Sequence, residues 1–304
     1  MNDDESSRPN ANPLFMSVHA WILRIVWLLQ PLAFVALINA SSATMPSKGR
    51  LVMAVLAWGA WACVLLATFV PSTVSITVGR LLAPALPVVA VVAAFGAPVA
   101  GWKVALGVAA AMVAAVVWFS GEVGMSLAQG SAYGAEQRFP LKPPVPFVVP
   151  MIVSWMVIAS SAVAGAIYLG NERWVVGVAL LVLAVAASWF LGPRFHQLSR
   201  RWLVVVPAGI VVHDPLLLVE NALFRVVDLA SVRLAPVGSE AADLTGGTAG
   251  LPLEISLREM DTIVKVGGRD QPTGVALHVR SVLVSPSRPG RALHAAADRH
   301  MPVG

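Results

Sequence analysis

The chain has 304 residues, 57% hydrophobic and 12% charged, with a mean hydropathy of +0.76 and a formal charge of +5. A soluble globular chain carries about 45–50% apolar and about 25% charged residues, so this composition excludes an ordinary soluble domain and fits an integral membrane protein. A single cysteine, Cys63, excludes a disulfide framework and a cysteine-based metal site.

The 21 Lys and Arg divide 12 to 9 at residue 201, whereas the 16 Asp and Glu divide 6 to 10. The basic excess therefore lies between and beside the apolar runs. That is the placement of topology-setting charges, and no nucleic-acid partner is expected.

Residues 1–20 begin polar and acidic (Asp3, Asp4, Glu5) and read as a disordered or interfacial start. A cleaved secretory signal would need a basic start and an unbroken apolar stretch; here Arg24 interrupts it. From 21 to 200 the chain reads as an α-helical membrane bundle of about six transmembrane helices, near 21–39, 51–70, 82–100, 104–119, 147–168 and 174–191. Apart from Arg24 these six contain no Asp, Glu, Lys, Arg or His, which argues against proton or sodium coupling. Pro84, Pro87, Gly96 and Pro98 predict a kinked third span. Trp102, Trp174, Trp189 and Trp202 fall near span ends as interfacial anchors. No internal repeat is evident.

With the amino terminus inside, Arg8, Arg80, Arg138, Lys142, Arg194, Arg200 and Arg201 lie on the cytoplasmic side and Lys48, Arg50, Lys103 and Arg173 outside. That excess predicts a multi-pass plasma-membrane protein with both termini cytoplasmic.

Between the fourth and fifth spans lies GEVGMSLAQGSAYGAEQRFPLKPPVP, residues 121–146. A connection of this length without regular structure is unusual, and long loops are often functional. Its polar groups Ser131, Tyr133, Glu136, Arg138 and Lys142, with Arg194, Arg200 and Arg201 after the last span, are the candidate residues for docking a protein or lipid partner. No phosphate-binding glycine motif is present. None of the six histidines has metal-ligand spacing, so no cofactor or metal is expected. His213-Asp214 reads as a turn boundary before Pro215. His196 reads as an interfacial residue beside Arg194 and Arg200.

Residues 201–304 read as a small C-terminal β-rich domain. WLVVVPAGIVVHD predicts a hairpin, ALFRVVDLASVRLAP one or two strands, and LEISLRE, TIVKVG and GVALHVRSVLV three more. DLTGGTAG (243–250) reads as a flexible loop and the segment near 288–299 as a closing helix.

LSRRWLVVVPAGIVVHD followed by ENALFRVVDLASVRL resembles the start of pleckstrin-homology-like domains attached to bacterial membrane helices. With GSAYGAEQRFPLKPP between spans, the whole chain resembles a family of actinobacterial integral membrane proteins. The resemblance implies a partly open barrel with a terminal helix, and brings no catalytic residues. Two functions compete. One is a non-enzymatic scaffold or docking platform using the β-domain and residues 121–146. The alternative is a transporter or membrane enzyme using the same glycine-rich segment, with Glu136 and Arg138 as working groups.

Overall fold

The computed structural model describes residues 18–95, 100–268, 271 and 273–304; the polar start and residues 96–99 of the third expected span lie outside these. In chain order come α1 (Val18–Leu28), α2 (Gln30–Ser41), α3 (Ser47–Phe69), α4 (Thr73–Leu82), α5 (Ala85–Phe95), α6 (Gly101–Phe119) and α7 (Gly121–Gln129). A short strand β1 (Gln137–Pro140) follows, then α8 (Val145–Gly170) and α9 (Trp174–Ser199). Among the described residues, six helical stretches are long and apolar enough to cross a membrane: Val18–Ser41, Ser47–Phe69, Thr73–Phe95, Gly101–Phe119, Val145–Gly170 and Trp174–Ser199.

The third stretch starts at Thr73, not near 82. The Ser72 hydroxyl accepts the Ser75 backbone N–H at 3.1 Å and caps α4 there, and Thr77 returns its hydroxyl to Thr73 O at 3.0 Å. The Ser72 cap thus starts a helix within the segment expected to connect the second and third spans. Arg80, expected in a cytoplasmic loop, lies inside this stretch. Arg80 therefore joins Arg24 within the stretches and leaves the loop tally, and the bounds of the stretches also take in Lys48, Arg50, Lys103 and Arg194 near their ends.

Two of the stretches are broken at proline. Pro31 has no N–H to offer Trp27 O; that carbonyl accepts instead from Trp61 Nε1 at 3.1 Å, while Trp27 Nε1 donates back to Trp61 O at 2.9 Å. At the break between α4 and α5, beside Pro84, Leu81 O accepts from Trp155 Nε1 at 2.8 Å. In an apolar setting such side-chain donors replace the lost helix bonds.

Arg24 and Arg80 stand at matching places, each seven residues before a proline, Pro31 and Pro87. Arg24 donates through Nε and Nη2 to Thr68 O at 3.2 and 3.1 Å, and Arg80 through Nε to Trp118 O at 3.5 Å. Each guanidinium also lies over the last aromatic of the helix it meets, Phe69 at 4.5 Å and Phe119 at 5.8 Å. A cation at a helix C-terminus meets carbonyls with no partner in their own helix. Buried positions recur at the same offset: Ala20 with Ile76, Trp27 with Ala83, Phe34 with Ala90, Leu37 with Ala93. Residues 18–69 and 73–119 thus share one order of elements, a broken helix followed by a straight one, although α2 packs on α6 rather than on α3 while α5 packs on α6. Gly79 takes the place of Leu23 where Trp118 takes that of Thr68, and a Cβ on Gly79 would stand 2.1 Å from the Trp118 ring.

After α9 come β2 (Trp202–Val206), β3 (Gly209–His213), β4 (Ala222–Arg225), a 3-10 turn (Val226–Asp228), β5 (Leu229–Leu234) and β6 (Ala242–Asp243). Then follow β7 (Leu253–Lys265), β8 (Val275–Val284) and α10 (Pro289–Ala297). They form two four-stranded sheets, β1-β2-β3-β4 and β5-β7-β8-β6, which do not close into a barrel among the described residues. Phe139, Leu203, Ile210, Phe224, Ile255 and Val282 share one core with Ala292 and Ala296 of α10. LEISLRE and TIVKVG, expected as separate strands, are one strand, β7, whose register against β8 slips between Ser256 and Asp261.

Residues 121–146 are not the unstructured connection expected. The Ser120 hydroxyl caps α7 by accepting the Val123 N–H at 3.3 Å. Then β1 pairs antiparallel with β2, Arg138 opposite Val204 and Pro140 opposite Trp202. The open edge of β2 offers unpaired backbone groups, and four residues from between the helices satisfy them.

Further bonds fasten this strap. Glu122 pairs with Arg288 and Arg291, both at 2.9 Å, and Ser287 N donates to Pro140 O at 2.8 Å. Asp243–Gly250, expected to be flexible, is anchored. Lys142 Nζ donates to Ala249 O at 2.9 Å and Val145 N to Gly246 O at 3.0 Å.

Candidate functional site

Side chains alternate along β2 and β3. Leu203, Val205, Ile210 and Val212 enter the β-domain core. Trp202 and Val204 enter a different buried cluster, with Leu23, Trp27, Trp118 and Leu127 of the helices. Both faces of the sheet are therefore covered, which explains the unbroken apolar run WLVVV. Trp202, expected as an interfacial anchor, is only 7% exposed at this junction.

Beside that contact a cavity of about 520 Å³ opens between the sheet and the helix ends. α4 supplies Thr73, α9 with its C-cap supplies His196 and Arg200, the strap supplies Ser131, Glu136 and Arg138, and the sheet side supplies Trp202, His213 and Asn221. Four of the eight expected docking residues, from two distant segments, thus share one site.

A layered group forms its floor. The Trp202 ring stacks on His213, with centroids 5.5 Å apart and planes 18° off parallel. The Arg138 guanidinium lies 5.1 Å from the Trp202 ring. Pairing Trp202 directly opposite His213 brings these side chains to one face. Arg138 Nη2 meets Glu136 Oε1 at 2.5 Å and Nη1 donates to Ser131 Oγ at 3.1 Å, while its buried Nε has no partner. Arg200 is exposed and carries no side-chain hydrogen bond or ion pair among the described residues.

Hydrogen bonding assigns the histidine tautomers. Thr77 Oγ1 already donates to Thr73 O, so at 3.0 Å from His196 Nδ1 it accepts, and Nδ1 carries the proton. His213 Nδ1 likewise faces Asn221 Oδ1, an acceptor, at 2.6 Å. In both rings Nε2 is left as the free atom of the neutral form. That of His213 is buried without a partner.

The other four expected docking residues lie elsewhere. Arg201 is buried, 1% exposed, in a two-point pair with Asp214 (Nε to Oδ1 2.7 Å, Nη2 to Oδ2 2.5 Å), and its Nη1 donates to Lys142 O. It therefore cannot meet a partner at the surface; its desolvated charge is matched by Asp214, which also accepts the Leu216 N–H at 3.1 Å. Lys142 is held by the 243–250 loop. Tyr133 is 90% exposed, and only its backbone N–H joins the group, donating to Glu136 Oε1. Arg194 is exposed on α9 away from the cavity. His213 and Asp214, adjacent in the chain, thus serve the cavity and the buried pair respectively.

Sequence reasoning missed His196, His213, Trp202 and Asn221 as site residues. The available signal was the hairpin: a short Pro-Ala-Gly turn sets Trp202 across from His213. Compared with protein-family models, with curated proteins and with solved structures, the chain finds no match in any of the three.

Proposed function

We propose that the chain is a multi-pass plasma-membrane protein, both termini cytoplasmic, that acts as a docking platform and receives an anionic group in the cavity between its helices and its β-domain. The observation that carries this reading is the gathering of two guanidinium groups, Arg138 and Arg200, around one opening, against the single carboxylate of Glu136. Arg138 is already aligned by Ser131, Glu136 and the Trp202 ring, so little ordering is left to binding. Arg200 supplies a cation whose side chain has no hydrogen bond or ion pair among the described residues.

Docking is favoured over catalysis by the hydrogen bonds. The Thr77 hydroxyl beside His196 donates to a backbone carbonyl and accepts from the ring, so that ring does not act on it as a base. Glu136 and Arg138, the working groups of the enzyme or transporter alternative, neutralise each other at 2.5 Å. The β-domain, with two sheets, one core and a terminal helix, supports a pleckstrin-homology-like class whose edge strand comes from between the spans.

Binding of glycerol 3-phosphate to the full chain in uncharged detergent tests the docking site. Saturable binding is expected in the parent protein and loss of it when Arg138→Gln is combined with Arg200→Gln. Equal binding by both proteins overturns the reading. A reporter fused after Gly304 is expected to be active only as a cytoplasmic reporter; a periplasmic signal overturns the orientation.

A further inference from the structure

We infer that the group received is the phosphodiester of an anionic glycerophospholipid, and that one acyl chain of the same molecule lies along α9. This deepens, and rests on, the docking reading above.

Helix geometry joins the two parts. Val178 and His196 are eighteen residues apart, about five turns at 3.6 residues per turn, so they lie on one side of α9 about 27 Å apart, with Pro193 between Trp189 and His196. Val182, Val185 and Trp189 fall within about 40° of Val178 around the helix axis. They contribute, with Leu181 and Phe190, to a shallow depression of about 480 Å³ whose lining has no polar side chain. Trp189 is 79% exposed and Val185 68% exposed, so no other element among the described residues covers this strip. The strip runs toward His196, and Arg200 follows about one turn beyond. The cavity and the strip are therefore the two ends of one track, polar then apolar.

Charge selects the class of lipid. Among the guanidinium and carboxylate groups lining the cavity, Arg138 and Arg200 against Glu136 leave one net positive charge. That matches a phosphodiester, which carries a single negative charge, without a cation of its own in the headgroup. A choline headgroup brings a second positive charge beside Arg200 and is disfavoured. Because Glu136 already holds Arg138, Arg200 makes the first phosphate contact, and Arg138 joins by sharing its guanidinium between Glu136 and the lipid.

The test is native mass spectrometry of the full chain released from nanodiscs of equal phosphatidylglycerol and phosphatidylcholine. One retained phosphatidylglycerol is expected on the parent protein. Arg200→Gln, at an exposed side chain without partners, should lower its retention about tenfold, the loss expected for one charged hydrogen bond. Trp189→Ala should weaken the long-chain lipid while leaving glycerol 3-phosphate binding unchanged. Retention of both lipids alike, or of phosphatidylglycerol undiminished by Arg200→Gln, overturns the inference. If no lipid is retained but glycerol 3-phosphate still binds through Arg138 and Arg200, the lipid inference falls and the docking reading stands. If neither binds, both fall.

Discussion

The two faces of the β1–β4 sheet are both covered, by neighbours of different character. The inner face meets the second sheet and α10 through Phe139, Leu203, Ile210 and Phe224, all under 5% exposed, in an apolar cluster. The outer face meets the helices through Trp202 and Val204, then gives way to Arg138, His213 and a cavity. A single alternating strand pair therefore carries a structural side and a candidate binding side. The difference lies in which residues fill the alternate positions. Substitutions on the inner face should act on stability, and those on the outer face on binding.

The largest effects should come at the boundary and the inner face. Asp214→Asn leaves Arg201 buried without its counter-charge and should cost about 3–5 kcal/mol, read as a lowered unfolding midpoint of the full chain in detergent. Replacing both partners, Arg201→Met with Asp214→Leu, should recover most of that loss; no recovery would mean that the pair does more than neutralise itself. Phe224→Ala should cost a similar ~3–5 kcal/mol by leaving a cavity between the sheets. Anion binding per folded molecule should stay unchanged in Phe224→Ala, and a loss there would blur the two faces.

On the outer face the order reverses. Arg138→Gln removes one ion pair at a partly exposed site and one ring contact, so stability should fall by only about 1 kcal/mol. Glycerol 3-phosphate affinity measured by calorimetry should fall about tenfold or more. The smallest effect belongs to the strap. Glu122→Gln breaks the pairs to Arg288 and Arg291, whose side chains are 47% and 58% exposed, and should cost under about 1 kcal/mol in the same melting assay. A larger cost would show that α7 and α10 hold the β-domain in place more firmly than these exposed pairs imply.

The apolar stretches were legible because length and hydropathy alone reveal them, and the β2–β3 hairpin because its turn and its β-branched runs agree. The start of α4 was not, since Ser72, Ser75 and Thr77 look like a polar turn until their hydroxyls are seen bonded along the helix. Residues 121–146 read as a loop because an edge strand of four residues, Gln137–Pro140, has no alternation to show and borrows its partner from sequence far downstream. The matching positions of 18–69 and 73–119 are not legible in the sequence because Gly79 stands where Leu23 does and Trp118 where Thr68 does. Charge and polarity single out Arg138, Arg200, Ser131 and Glu136 in the sequence. They single out Arg201 equally, yet its partner Asp214 lies thirteen residues away, and only the strand pairing brings them together.

Hydrogen exchange of the full chain in nanodiscs, phosphatidylglycerol against phosphatidylcholine, tests the central claim most directly. The account predicts added protection in the anionic lipid for backbone amides at 131–140 and 196–213, with 226–265 unchanged. Equal exchange in the two lipids at 131–140 and 196–213, or protection confined to 226–265, would contradict it.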